Sequence, residues 1–471
     1  MKIGFVPIDN RPVCYTLPKI LSEIDESIEF FMPERKYLGD LTKSADIEGL
    51  FEWLMCLPKL DAIILSLDTL AYGGLIPSRR CPETFEQIKH RIETLKEILD
   101  GKDCKIYAFS SIMRISNNNY NEEEKEYWSE WGKKIFEYSY ECNKSGGNLR
   151  IKNDIPPAIL DDYIETRARN FEINKIYLNW QKQGIFDTLI FSKDDCAEYG
   201  FNVQEATMLE KMGAFVKTGA DEIPLSLLSR AIYGNIKICP IFLEPEFKNL
   251  ISNYEDISIE KSVKGQIELA GCTVASEKDA DILLYVNNFK KQQGEIVMKV
   301  DTEKFAKTFT TPDKPYMIAD VRFANGADNN FVQEIFNNEI VDEKFYGYSA
   351  WNTSANSLGS LICGAKIKYV AQKYNKKAFE KLQITRFLDD WAYQANVRQN
   401  LKTPDIKEVS LLMKSFENEV YTKLGTSANI KYSFPWKRLF EVEVEFHWFN
   451  IARFGTWRGL FCSFIFARID F

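Results

Sequence analysis

Four acids hold the chemical interest of this chain, and they stand at the ends of two short apolar runs. The run Leu189-Ile-Phe191 ends in Asp194 and Asp195; about two dozen residues on, Ala214-Phe-Val216 ends in Asp221 and Glu222. Val203 to Met212, between them, has helical character. Strand, acid pair, helix, strand, acid pair is the order by which α/β enzymes bring carboxylates to the carboxyl edge of a sheet. Only two histidines, His90 and His447, are present. A Ser-His-Asp or Cys-His system therefore lacks a base, and a multi-histidine metal site is excluded. Protons, or a metal, must be handled by carboxylates.

Glycoside hydrolysis fits such a set, because it needs one carboxylic acid to protonate the leaving oxygen and a second carboxylate at the anomeric carbon. Glu222 would be the acid, raised by Asp221 and by burial. Asp194 and Asp195 would orient the nucleophile, a substrate acetamido group included. Trp351, Tyr72 and Asn352 would wall the sugar, with Asp9, Arg11, Asp68, Asn325 and Asp328 as further substrate contacts. In a second reading Asp9, Asp68, Asp194, Asp320 and Asp328 coordinate magnesium or manganese, which favour oxygen ligands. A third is a non-catalytic protein binding a sugar or metabolite. No residue pattern names a cofactor. Asp-Asp occurs three times, at 161–162, 194–195 and 389–390. The first and last pairs read as polar sides of amphipathic helices, and only 194–195 follows an apolar strand.

Ten short runs read as strands: 3–8, 28–32, 62–67, 105–109, 188–192, 214–216, 238–243, 281–286, 316–319 and 345–349. Most precede a helical pattern, the signature of parallel βα units. The expected fold is α/β, with a barrel-like N-terminal part favoured over doubly wound sheets and a helical C-terminal region. The boundaries are 1–235, 236–370, 371–446 and an aromatic tail, 447–471. No internal repeat is visible. The helix 84–99 carries the stripe Phe85, Ile88, Ile92, Leu95, Leu99, which turns His90 to solvent. The loop after residue 68 has Gly73-Gly74 for close backbone approach, and Arg79 and Arg80 could hold an anion, although it matches no phosphate-binding fingerprint.

The chain has 471 residues, 45% of them hydrophobic, and a net charge of -8. That balance leaves no basic stripe for nucleic acid. No apolar run reaches the roughly 18 residues needed to span a membrane. Met1 to Asp9 reads as a first strand and not as a signal peptide, which points to the cytoplasm. The ten cysteines are scattered without a Cys-x-x-Cys pair, so they are expected to be reduced and mostly packed as small hydrophobes; Cys196, beside the acid pair, is the exception to watch. The partner expected is a small molecule or carbohydrate. After Phe446 the aromatic density has no polar alternation; a reading-frame error or read-through explains it slightly better than a membrane-adsorbing or oligomer-forming tail.

Several stretches together resemble an uncharacterised bacterial family, domain of unknown function 4127. They are Pro7-Ile-Asp-Asn-Arg-Pro12, Leu67-Asp-Thr-Leu-Ala-Tyr-Gly-Gly74, Asp194-Asp195, Gly219-Ala-Asp-Glu222, Asn325-Gly-Ala-Asp328 and Trp351-Asn-Thr353. Arg386-Phe-Leu-Asp-Asp-Trp391 and Pro435-Trp-Lys-Arg-Leu-Phe440 extend the likeness to about Phe446. The resemblance implies no established activity. Gly219-Ala-Asp-Glu222 is also similar to the Gly-Gly-Asp-Glu segment of substrate-assisted hexosaminidases, and Asp194-Asp195 to the paired aspartates of another hexosaminidase family.

Overall fold

The computed structural model describes residues 1–40, 43–145, 154–194, 196–340, 342–401, 406–426, 428–436 and 439–446. Six strands make the first sheet: β1 (Lys2–Val6), β2 (Glu29–Phe31), β3 (Ala62–Ser66), β4 (Lys105–Ile112), β5 (Thr188–Lys193) and β6 (Phe215–Thr218). They are all parallel, in the order β2-β1-β3-β4-β5-β6. Parallel sheets are covered on both faces, so their central strands read as unbroken apolar runs. β3, Ala-Ile-Ile-Leu-Ser, is buried at every position.

The second sheet follows with β7 (Lys237–Phe242), β8 (Thr273–Val274) and β9 (Ile282–Asn287), then β11 (Tyr316–Asp320) and β13 (Phe345–Ser349). β10 (Gly294–Glu295) and β12 (Phe323–Ala324) form a separate small parallel pair. The main order is β13-β11-β9-β7-β8, again all parallel. The ten expected strands are therefore present, in βα units as the periodicity indicated. The barrel-like closure favoured for the N-terminal part is not. A barrel would need β2 to pair with β6, whereas both are sheet edges. After β2 the chain returns past β1 to lay down β3, and this reversal gives an open, doubly wound sheet. Counted from its own first strand, the second sheet has the same order, 2-1-3-4-5. The two halves share a winding that the sequence does not display as a repeat.

One face of each sheet enters a common core. Phe5, Ile64 and Phe109 meet Leu283, Ile318 and Tyr348 there through the helices Pro12–Ser22, Ile223–Ala231 and Lys376–Arg386. The opposite face of the first sheet packs under Ile47–Cys56, Phe85–Asp100 and Pro157–Lys182. In Phe85–Asp100 the stripe Ile88, Ile92, Leu95 and Leu99 is buried and Thr84 with Gln87 forms a capping box, while His90 is exposed as expected. Each such aliphatic residue contributes about 1.5–3 kcal/mol on burial. Beyond residue 371 lie the helix Lys376–Arg386, a π-helix over Phe387–Val397, the helix Ile406–Leu424 and an antiparallel hairpin of β14 (Ala428–Trp436) and β15 (Leu439–Phe446). The aromatic tail lies outside the described residues. No helix among the described residues is long and apolar enough to cross a membrane.

Two seams tie the halves together. The carboxylate of Asp25 accepts the N–H groups of Gln372 (3.1 Å) and Lys373 (3.0 Å), and Asn375 N–H donates to the Ile24 carbonyl (2.8 Å). The second seam joins the carboxyl edges of the sheets. Asp256, in the segment after β7, pairs with Lys193 and accepts from Thr218 Oγ1 (2.7 Å), at the ends of β5 and β6. Its neighbour Glu255 accepts from Ala355 N (2.8 Å), in the helix that follows β13.

Candidate functional site

The ends of β3, β4 and β5 converge on one buried guanidinium. β3 runs directly into the short helix Leu67–Tyr72, so Asp68 falls in its first turn, beside β4. Its Oδ2 accepts the Ser111 N–H (2.8 Å), and burial, larger than that bond's opposing effect, pushes its pKa up to about 7. The turn through Gly73, which adopts φ 85°, leads to the helix Pro77–Arg80 and places Arg79 against the same strand ends. Arg79 is only 2% exposed. Its Nε lies 3.5 Å from Glu124 and its Nη2 3.9 Å from Glu123, yet neither nitrogen has a hydrogen-bond partner among the described residues. Arg114, just past β4, binds Glu123 (2.6 Å), Glu124 (3.2 Å) and Asp194 (3.4 Å). Burial, then the charge of Arg114, lowers the pKa of Arg79. Asp194, at the end of β5, keeps its side chain 24% exposed. The field of Arg79 thus reaches Asp68 and Asp194 alike.

A second group occupies the turn after β1. Arg11 donates from Nε to Asp9 (2.7 Å) and, through both Nη atoms, to Asp221 (3.0 and 2.6 Å). This forked geometry is the strong form of an arginine–carboxylate pair. Cys14 Sγ sits 3.7 Å from Asp221 and 3.5 Å from Arg11. Burial raises the Asp9 carboxyl despite Arg11, and it raises the Cys14 thiol well above the ordinary range. Thr69 Oγ1 donates towards the carbonyls of Ile8 (2.7 Å) and Pro7 (2.9 Å), which fastens this turn to the one carrying Asp68. The two turns flank the β1/β3 reversal, where open α/β sheets hold their ligands.

The four acids that opened the sequence analysis do not act as one cluster. Asp194 joins Arg114, and Asp221 joins Arg11 on another strand end. Asp195 lies outside the described residues. Glu222 points inward and is 0% exposed. Its Oε1 accepts from Gln266 Nε2 (2.8 Å) and its Oε2 from Ala220 N (3.1 Å). Burial raises its pKa to about 8, with Asp221 adding to the effect. A Cβ on Gly219 would come within 1.7 Å of this carboxylate and one on Gly359 within 2.6 Å of its Cγ, so glycines make its chamber.

The remaining expected contacts separate into two places. Tyr72 is buried in the outer core of the first sheet, beside a surface cleft of about 840 Å³ that His90, Arg80 and Arg91 also line. Trp351 is buried in the shared core, donating to Ser360 Oγ (2.9 Å). Asn325 and Asn352 hold left-handed backbone (φ 62° and 53°), and Asn325 N–H donates to the Asn352 carbonyl (2.7 Å). A wall of Trp351, Tyr72 and Asn352 is therefore not formed. Asp328 caps the helix Asn329–Phe336 and accepts the Phe305 N–H (2.7 Å). It belongs to a buried network at the second sheet's edge: Asp320 accepts from Asn287 (2.8 Å) and from Asp328 N (2.8 Å), and Arg322 reaches Asn287 (3.0 Å) and Glu244 (3.1 Å). These groups satisfy one another and read as structural.

Asp389 and Asp390, taken from the sequence as a solvated helix face, are 3% and 0% exposed. The segment winds as a π-helix, so a wheel drawn at 3.6 residues per turn misplaces them. Arg386 supplies their countercharge at 3.5 and 3.2 Å, and Asp390 Oδ2 accepts the Ala350 N–H (2.7 Å). Arg114, Glu123 and Glu124 carry little signal in the sequence beyond an arginine directly after a strand, with acids in the polar stretch behind it. The five aspartates of the metal reading do not converge, since Asp320 and Asp328 lie in the second sheet's network and Asp9 on Arg11. Among the described residues no three His, Cys, Asp or Glu side chains are grouped to hold a metal ion.

Two open parallel sheets of the same winding, with acids and arginines at the strand ends, define a doubly wound α/β protein. Residues 3–445 match the model of the family described as protein of unknown function (DUF4127), and the chain belongs to that family. No curated protein and no solved structure matches it. The short likenesses to hexosaminidases gain no support from these comparisons.

Proposed function

We propose that the protein hydrolyses a glycosidic bond in a small hydroxyl-rich substrate, at the carboxyl edge of the first sheet. One observation carries this reading: a carboxylic acid with a pKa near neutrality, Asp68, and a half-open carboxylate, Asp194, both fall under the charge of Arg79. Environments that treat two carboxyls differently mark an acid and its partner. Asp68 donates its proton to the leaving oxygen as the glycosidic C–O bond breaks, Asp194 stabilises the positive charge that develops at the anomeric carbon, and a water molecule adds to that carbon and returns a proton to Asp68. Arg11, Asp9 and Asp221 hold the neighbouring turn in place and present the substrate with fixed polar groups. Glu222 is given no part, because both its oxygens are taken, by Gln266 and the Ala220 N–H, in a chamber closed by Gly219 and Gly359. The reaction belongs in the cytoplasm, where the nine unpaired cysteines among the described residues would stay reduced.

The test is turnover of chromogenic aryl glycosides by the purified protein. Asp68→Asn and Asp194→Asn should each lower the rate about 10²–10⁴-fold, the usual range for a lost general acid or its partner, with the folded state retained by circular dichroism. Full activity in both variants would overturn the assignment.

A further inference from the structure

Arg79 is an unusual neighbour for Glu123 and Glu124. Buried guanidinium groups ordinarily find forked, directional acceptors, because an unmet buried N–H keeps its full desolvation penalty, larger still for a charged group. Here the two acids neutralise Arg79 from 3.5 and 3.9 Å without accepting a hydrogen bond from its Nε or Nη2. Both acids come from the segment between β4 and the helix Trp128–Ser145, a strap held to the strand ends by their pairs with Arg79 and Arg114. Glu124 is buried and Glu123 is partly open. The strap is anchored at its far side, where Asn119 Oδ1 accepts the Lys133 N–H (2.8 Å). Charge is balanced, then, while hydrogen-bonding geometry is not. A compact oxyanion approaching the plane of Arg79 would supply the missing acceptors, with Arg114 beside it.

We propose that Arg79, with Arg114, is an oxyanion subsite, and that the Glu123–Glu124 strap occupies it until a ligand bearing a carboxylate or phosphate displaces it. This rests on the proposed hydrolase reading only in making that ligand the substrate: an acidic sugar, with its anionic group at Arg79 and its scissile bond towards Asp68 and Asp194. The strap carries the charge of the ligand group and withdraws when that group arrives.

Binding can be measured without turnover. The probes are D-glucuronate, D-glucose 6-phosphate and neutral D-glucose, at matched ionic strength, read by calorimetry and thermal shift. Wild type should bind at least one acidic probe saturably and D-glucose not measurably. Arg79→Gln should abolish that binding; Arg79→Lys, which keeps the charge and loses the fork, should weaken it at least about tenfold. Glu124→Gln should have the opposite sign, tightening binding about tenfold, the equivalent of the charged hydrogen bond between Arg114 and Glu124 no longer competed for. It should also be less stable than wild type without ligand and regain stability when the acidic probe is added. Which acidic probe binds separates a carboxylate from a phosphate ligand. Acidic probes no better than D-glucose, Arg79→Gln binding like wild type, or Glu124→Gln binding no more tightly would each overturn the proposal. Binding with no hydrolysis of any aryl glycoside would leave the subsite standing and remove the hydrolase.

Discussion

Replacing Glu222 by Gln tests the enclosed carboxyl directly. In the folded chain its pKa stands at about 8 against an ordinary 4.5, with burial as the main cause. Between those values the folded state keeps a proton that the unfolded chain releases, so stability falls as pH rises through the window. At 1.36 kcal/mol per pH unit the loss between pH 4.5 and 7 is roughly 3 kcal/mol, and it reaches roughly 4–5 near pH 8. Glutamine is nearly the same shape and does not titrate. Its amide can be received if Gln266 turns over, presenting Oε1 to the new NH2 and Nε2 to Ser226 Oγ, which now lies 3.3 Å from Oε1. The variant should match wild type near pH 5 and exceed it by roughly 2–4 kcal/mol at pH 8, once residual denatured-state structure is allowed for. Urea unfolding of both proteins at the two pH values reads the gap. A gap that does not widen with pH refutes a raised carboxyl at 222. Loss of turnover in Glu222→Gln with an unaltered stability profile would restore Glu222 as the acid and refute its exclusion from the chemistry.

Two further outcomes follow from the first sheet. If Asp68 is the proton donor, turnover should decline tenfold per pH unit above about 7, as the acid is lost, and Asp68→Asn should erase that limb; a rate flat from pH 6 to 9 contradicts the role. Arg11→Met leaves Asp9 and Asp221 buried without their shared partner and should cost about 3–5 kcal/mol at neutral pH. The loss should shrink in acid, because burial already raises the Asp9 carboxyl towards its protonated form. Chemical denaturation across pH reads both, and a loss below about 1 kcal/mol would mean that the fork contributes little.

What the sequence disclosed and what it hid have separate physical causes. Parallel strands buried on both faces are continuous apolar runs, so β1, β3 and β9 announce themselves. Which strands lie side by side depends on the route of the connections, and no local pattern distinguishes an open 2-1-3-4-5-6 sheet from a barrel. The acids at 194 and 221 were legible as strand-end residues. That one meets Arg114 and the other Arg11 depends on contacts across 80 and 210 residues of chain. Glu222 and Asp390 mislead for separate reasons: one reads as the proton donor and is walled in by glycines, the other reads as solvated and is wound inward by a π-helix. Arg79 reads in the sequence as a residue able to hold an anion. Its unmet N–H groups could be seen only once Glu123 and Glu124 were placed.

The Asp25 seam bears on how the chain is made. The end of the first helix is stitched to residues some 348 positions later. At about 5–20 residues per second, a ribosome needs roughly 20–70 s to deliver that partner after Asp25 has emerged. Until then the outer face of Pro12–Ser22, which packs against Lys376–Arg386 in the finished fold, has nothing to rest on. Six strands can pair early, but their shared-core face stays sticky for the length of synthesis. A nascent chain of this family is therefore expected to depend on chaperone protection over that face, and a fragment ending near residue 235 to aggregate where the full chain does not.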